Sequence, residues 1–296
     1  MITHPEKVLF PEDGITKGEV AAYYEMIAPL AVPHMRARPV TMERFPKGIG
    51  EKGFMQKNVV KGFPEWLERV EVPKKGGTVN YPLITDTRSL LWVVNQNTIT
   101  PHVWTSRVPT LGHPDICVFD LDPSDDDEVV LRAAALGVRD LLEELGLQSW
   151  VKTSGSKGYH IGVPLDGKTD AEDVAGFAHA VAAVLVSRDP EHLTLEFSKA
   201  DRGGRILVDV GRNRPGATFA AAYAVRPKNG APVSAPCTWE EVERGEAGPR
   251  TFALRAMAER IASVGDIWAD MKGRGRSLRK AVEQLKRTMS RRSGAP

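Results

Sequence analysis

Residues 115–127 read DICVFDLDPSDDD, and this stretch constrains the fold more than any other. Ile116 to Leu121 has the branched, apolar and aromatic make-up of a β-strand. Successive side chains on a strand point to opposite faces, so Cys117, Phe119 and Leu121 are predicted to enter a core while Asp120 and Asp122 share the other face. Two carboxylates on one face of a strand end repel each other unless a cation joins them. Hard oxygen donors at this spacing suit Mg²⁺ or Mn²⁺, and paired ions of this kind clamp the attacking and leaving oxygens of a phosphoryl transfer. Pro123 offers no amide hydrogen and ends the ladder. Asp125, Asp126, Asp127 and Glu128 have a separate explanation: they fall at the first turn of a following helix, where exposed amides favour negative charge.

A DxD pair alone is also typical of nucleotide-sugar glycosyltransferases, so the reading needs companions. One is Asp209, an aspartate amid the branched residues of ILVDV, which is costly there without a partner or a metal. Another is VKTSGSKGYHIGVPL. Its Ser154-Gly155-Ser156-Lys157-Gly158 turn between two strands can present amides, a hydroxyl and an ammonium to a polyphosphate, with His160 on the next strand. The turn lacks the Walker pattern and does not open a helix. Two acids at a strand end, a third on another strand and a phosphate-type loop between them describe a site for a metal-bound nucleotide.

Around this centre the pattern predicts an α+β chain with a central, mostly antiparallel sheet flanked by helices. Thr16 to Glu19 forms a capping box for a helix reaching about Ala31. A hairpin or long loop is expected through ERFPKGIGEKGFMQKN, with exposed amines and the aromatics Phe45 and Phe54. A short helix is expected over 86–94, a loop through Thr100-Pro101-His102, and a helix over 127–145 capped by Ser124 or Asp125 and closed by Gly146. Strands at 150–153 and 159–165, a helix over 170–187 and a strand pair at 206–210 and 218–225 complete the pattern. The N-terminal hundred residues are expected to form a smaller module beside a core over 101–268.

Cys117 and Cys237 make neither a disulfide framework nor a CxxC pair, and Cys117 reads as a core thiol. No apolar stretch is long enough to cross a bilayer, and the opening lacks a signal-peptide segment, so a cytoplasmic protein without membrane contact is expected. Formal net charge is +2, but residues 272–296 hold nine lysines and arginines against Glu283 alone. Residues 269–296 therefore read as a basic C-terminal tail, either holding a phosphate backbone or acidic partner by charge or simply solvated.

FDLDP, TSGSKGYH and VDVGRNRPGATFAAAYAVRP, together with KVLFPEDGITKGEVAAYY, the ERFPKGIGEKGFMQKN segment and NQNTITPHVW, resemble in this order the polymerase module of bacterial ligase D, of the archaeo-eukaryotic primase superfamily. The resemblance runs from the N-terminus to at least residue 265 and implies the primase-polymerase fold. It implies that Asp120, Asp122 and Asp209 hold two divalent ions, manganese usually preferred, and that Ser154, Lys157, His160 and Arg226 contact the incoming triphosphate. His102 matches the histidine near the nucleotide sugar, at a site that favours ribonucleotides. Lys7 and Lys17 match a pair gripping the 5′-phosphate at the downstream edge of a gap, and Phe54 matches an aromatic stacked on template bases. His4 stands where the family has a polar amide, and Ser156 replaces a usual glycine.

The activity so implied is repair synthesis at gaps and double-strand-break ends in non-homologous end joining, adding ribo- or deoxyribonucleotides to a 3′-hydroxyl, in association with the nucleoid. The implied partners are DNA carrying a 5′-phosphate, NTP or dNTP, Ku and a separate ATP-dependent DNA ligase, since no KxDG ligase motif occurs here. A non-catalytic end-bridging module and a primase are the alternatives, with a glycosyltransferase behind them.

Overall fold

The computed structural model describes residues 2–293. Its middle is the strand Ile116–Asp122. This strand is third in a six-stranded sheet ordered Leu193–Thr194, Ile206–Asp209, Ile116–Asp122, Tyr159–Pro164, Trp150–Thr153 and Pro236–Cys237. Every neighbouring pair is antiparallel except the first. The expected alternation is present: Cys117, Phe119 and Leu121 pack with Leu131, Val138 and Leu142 of helix Glu128–Glu144 and Val174, Phe177 and Val181 of helix Ala171–Arg188. Ile116 and Val118 face a second core, built on helix Lys17–Met35. With a core on both faces, the first part of the strand reads as continuously apolar.

A second, four-stranded sheet is ordered Thr218–Ala220, Thr98–Trp104, Val40–Arg44 and Phe54–Gln56. Its residues Val40, Met42, Ile99, Val103 and Phe219 join the core shared with Val118 and Trp150. Residues 98–104 are thus a strand where a loop was expected. Pro101 stands where the Thr218–Ala220 neighbour has stopped, since Ala220 pairs with His102, and a missing amide hydrogen is tolerated there. The expected strand pair at 206–210 and 218–225 is also corrected. Ile206–Asp209 and Thr218–Ala220 belong to different sheets, and Ala224–Val225 pairs with Val233–Ser234. A 3-10 turn, Gly211–Asn213, redirects the chain between them. Asn213 stays on the central strand, its side chain accepting from Val118 N at 2.8 Å and donating to Val118 O at 2.7 Å.

Helix caps follow the chemistry, with two differences. Thr16 and Glu19 make the expected capping box, but the helix continues past Ala31 to Met35 despite Pro29 and Pro33. Burial of Val32 and Met35 outweighs the lost amide donors. The 128–144 helix is capped by Asp127, which accepts from Val129 N and Val130 N. Ser124, one of the two expected caps, instead donates to Arg205 O at 2.8 Å. The hairpin joining Val40–Arg44 to Phe54–Gln56 is as expected. In the basic C-terminal segment, helix Arg279–Ser293 docks through Leu278, Ala281 and Leu285, which are buried in the core beneath the large sheet. Among the described residues no helix is long and apolar enough to cross a membrane. Cys117 and Cys237 are free and buried, and burial pushes the Cys117 thiol up to about 12.

Two glycines give opposite expectations. A Cβ on Gly158 would lie 1.8 Å from Leu121 O, whereas one on Gly137, inside the 128–144 helix, meets nothing within 4 Å. Gly158→Ala should lower the stability read from a urea midpoint by at least ~2 kcal/mol. Gly137→Ala should raise it by about 0.5–1 kcal/mol through helix propensity.

Candidate active site at the end of the central strand

Register brings the first group of predicted residues together. Asp120 is opposite Asp209 on one side and His160 on the other, and His160 is in turn opposite Lys152. Directly opposed residues share a face, so these four side chains project from the same side of the sheet. Asp122, two residues on, shares that side. Asp120 is buried, and its oxygens meet His160 Nε2 at 3.4 Å and Arg212 Nε at 3.1 Å. The same guanidinium reaches Asp209 Oδ2 at 3.3 Å. Asp122 accepts from Arg202 Nη1 at 3.0 Å, and Arg202 also donates to the carbonyls of Glu196 and Phe197.

Charge balance explains the protonation states. Burial opposes ionisation of Asp120, but His160 and Arg212 outweigh it and hold the carboxyl below the usual carboxylate range. Asp209 goes the other way: burial raises it, and nearby Asp120 adds to that against the pull of Arg212. Burial, with the Lys152 ammonium beside it, pushes His160 down to about 4. Lys152 is wholly buried, 2.7 Å from His160 Nδ1, and donates to Ser234 Oγ. The ionised Asp120 carboxylate only accepts, so the ring proton sits on Nε2, toward Asp120, and Nδ1 accepts from Lys152.

The glycine-bearing turn closes over this group. Ser154 Oγ accepts from Ser156 N at 3.1 Å and Gly158 N at 3.0 Å, so its hydroxyl shapes the turn. Ser156 keeps a negative φ, and its replacement of glycine needs no left-handed backbone. Arg226 donates to Ser154 O at 3.0 Å, while its buried Nε has no partner among the described residues. Its charge is coupled to those of Glu43, Asp120 and Arg212. Lys157 lies at the rim, 3.4 Å from Asp126. His102 pairs with Glu43, Nε2 to Oε2 at 2.9 Å, on the four-stranded sheet.

Lys7, Lys17 and Phe54 form a separate surface. Lys17 N donates to Lys7 O at 2.7 Å, which places the two residues side by side. The Lys17 side chain is buried, with a single hydroxyl contact, Thr3 Oγ1 at 3.3 Å. Burial lowers the Lys17 ammonium, and the charges of Lys7 and Arg44 lower it further. Among the described residues neither lysine has a carboxylate at ion-pair distance, a cationic pair lacking an anion. Phe54 is 47% exposed, and Arg44 lies over its ring at 5.4 Å. His4, where an amide was expected, is exposed and turns to Glu6 at 3.6 Å.

Sequence reasoning missed Arg212, Arg202, Lys152 and Glu43. Arg212 was within reach: VDVGRN places a guanidinium three residues after Asp209 in a turn. Lys152 precedes TSGSKG by one residue and alternates onto the His160 face. Arg202 and Glu43 carried no local signal, because their partners are distant in sequence.

The donor set fits divalent ions chemically, being three carboxylates on two adjacent strands beside a neutral imidazole. Among the described residues no three acidic, histidine or cysteine side chains converge as a finished metal cage. Asp122 turns to Arg202 while Asp120 and Asp209 share Arg212, so the two guanidiniums occupy the carboxylates as cations would.

The family model described as LigD, primase-polymerase domain, matches residues 16–268. A multifunctional non-homologous end joining protein LigD of Mycolicibacterium smegmatis is 36% identical over 273 residues, covering 91% of this chain and 36% of that protein. The Pseudomonas aeruginosa protein of the same description is 32% identical, covering 96% of this chain and 34% of that one. The chain thus spans about a third of the length of these relatives. Among solved structures, the polymerase domain of Mycobacterium tuberculosis ligase D in complex with DNA superposes with a TM-score of 0.86 at 33% identity, covering 91% of this chain and 96% of that one.

If the carboxylates accept a divalent ion, Mn²⁺ should raise the melting temperature through binding linkage, by the equivalent of about 2.7 kcal/mol at a hundredfold excess over Kd. The Asp120→Asn, Asp209→Asn double variant should fold and lose that rise in a thermal-shift assay.

Proposed function

The chain belongs to the LigD primase-polymerase domain family, and on that premise we propose that it is a DNA repair polymerase of non-homologous end joining. It extends a 3′-hydroxyl with ribo- or deoxyribonucleotides at gaps and break ends. The observation that carries this reading is the register that sets Asp209 and His160 on either side of Asp120, beside a buried arginine with an unused donor.

Asp120, Asp122 and Asp209 are the residues that would hold two divalent ions, Mn²⁺ or Mg²⁺, whose chemistry when bound is to ease attack by the 3′-oxygen and neutralise the departing pyrophosphate. Arg226 has its Nε free for a phosphate oxygen, and a charge-assisted bond from a guanidinium is among the strongest available. His160, with its proton held on Nε2 by the Asp120 carboxylate, donates at the same end of the cleft. Lys157 extends the cationic lining at the rim, and Ser154 keeps the turn amides in place. His102 lies on the sugar side and senses the 2′-hydroxyl. Release of Arg202 and Arg212 from the carboxylates accompanies loading of the site.

Lys7 and Lys17 hold the downstream 5′-phosphate, supported by their proximity without any acidic partner. Phe54, exposed and backed by Arg44, stacks on template bases, a contact that contributes about 1–3 kcal/mol. The partners are gapped or broken DNA with a 5′-phosphate, Ku and an ATP-dependent ligase activity, with the protein at the nucleoid in the cytoplasm.

Primer extension across a one-nucleotide gap, with and without the downstream 5′-phosphate, tests this reading. Metal-dependent addition stimulated by the phosphate is expected. Asp120→Ala with Asp122→Ala should reduce addition to background while DNA binding persists. Lys7→Ala and Lys17→Ala should each weaken the phosphate stimulation on the order of tenfold, the worth of one charge-assisted hydrogen bond. Intact binding with no addition under either metal would leave a non-catalytic end-bridging module in its place.

A further inference from the structure

Glu43 and His102 form a largely buried pair, their side chains 21% and 12% exposed. Thr41 is directly opposite His102 across the sheet, and Glu43, two residues along, lies on the same face. The carboxylate Oε2 is 2.9 Å from His102 Nε2. Burial raises the Glu43 carboxyl, but the bond from His102 outweighs it and keeps the group ionised. An ionised carboxylate only accepts, so the imidazole proton sits on Nε2. Burial also disfavours the imidazolium, and in a neutral ring Nδ1 is then an acceptor alone. Among the described residues nothing donates to that Nδ1. The imidazole as a whole feels the charges of Arg226 and Arg212, and its strand is tied to the segment just before Arg226 by the bond from Thr100 Oγ1 to Val225 O at 2.7 Å.

We infer that Glu43 is a positioning residue which pins the His102 ring so that Nδ1 accepts a hydrogen bond from the 2′-hydroxyl of the incoming nucleotide, and that this pin sets the preference for ribose over deoxyribose. The inference rests on the reading of His102 proposed above. A deoxyribose leaves the pinned acceptor unpaired, and sites built to bond a hydroxyl reject analogues lacking it far more strongly than sites shaped by apolar contact. Without Glu43 the proton moves between the two nitrogens and the ring loses its fixed orientation, so neither sugar is favoured. Glutamine at this position keeps a carbonyl oxygen that can accept from Nε2–H, so the pin survives.

The experiment is single-nucleotide incorporation on gapped DNA with ATP and dATP, reading the ratio of the two kcat/KM values for wild type, Glu43→Ala, Glu43→Gln, His102→Ala and the Glu43→Ala, His102→Ala double variant. Glu43→Ala should lower the ribose preference by at least ~10-fold, toward that of His102→Ala, with dATP incorporation retained. Glu43→Gln should keep most of the preference, and the double variant should match His102→Ala alone. A ratio unchanged in Glu43→Ala, an equal loss of both sugars, additive losses in the double variant, or a wild-type ratio near one would overturn the inference. Absence of any incorporation by the wild type would instead overturn the proposed function on which it rests.

Discussion

The antiparallel register of Ile116–Asp122 with its two neighbours is the constraint on which the rest depends. Side chains alternate across a strand, so a slip of one residue would send Asp120 and Asp122 into the core now filled by Cys117, Phe119 and Leu121. The burial of those three residues therefore fixes where the carboxylates stand. Asp209 and His160 reach Asp120 only because their own strands pair in the same register. Asn213 completes the arrangement where the Ile206–Asp209 strand has ended, satisfying both backbone groups of Val118 that would otherwise face a buried edge unpaired.

Electrostatics at this end is a balance of acids against buried cations. Asp120, Asp122 and Asp209 stand against Arg202 and Arg212, while Lys152 and Arg226 add buried cationic charge beside them, with Asp120 an acid whose charge both feel. Lys152 has no carboxylate at ion-pair distance among the described residues, and burial depresses its ammonium. A buried cation or an unused arginine donor is costly in isolation. On the proposed reading, a polyphosphate entering with divalent ions would supply anions to those cations and cations to the acids, satisfying both sides at once. The Lys7 and Lys17 pair repeats the logic on a smaller scale, two cations with no carboxylate at ion-pair distance among the described residues.

Local chemistry made much of this legible. The alternation of 116–122, the Thr16 capping box and the Gly146 stop each depend on neighbouring residues only, and each matches the structure. Pairing between distant strands was not legible in the same way. Nothing near Thr218 distinguishes a partner at 206–209 from one at 98–104, and the redirecting turn depends on Asn213 finding Val118, 95 residues away. Pro101 suggested a loop because its tolerance depends on where a neighbouring strand stops. At the site, the acids and the glycine turn declared themselves by composition. Arg202 and Glu43 did not, since an arginine or glutamate becomes informative only once its partner is known.

On the proposed function, the register of the central strand, and not the acidic run after it, builds the site for the divalent ions. Anomalous diffraction at the manganese edge from crystals grown with Mn²⁺, a nucleotide and gapped DNA tests it most directly. Manganese peaks are expected at the carboxylates of Asp120, Asp122 and Asp209, with Arg212 withdrawn from them. Peaks confined to Asp125, Asp126 and Asp127, with Arg202 and Arg212 still paired to the strand acids, would contradict it.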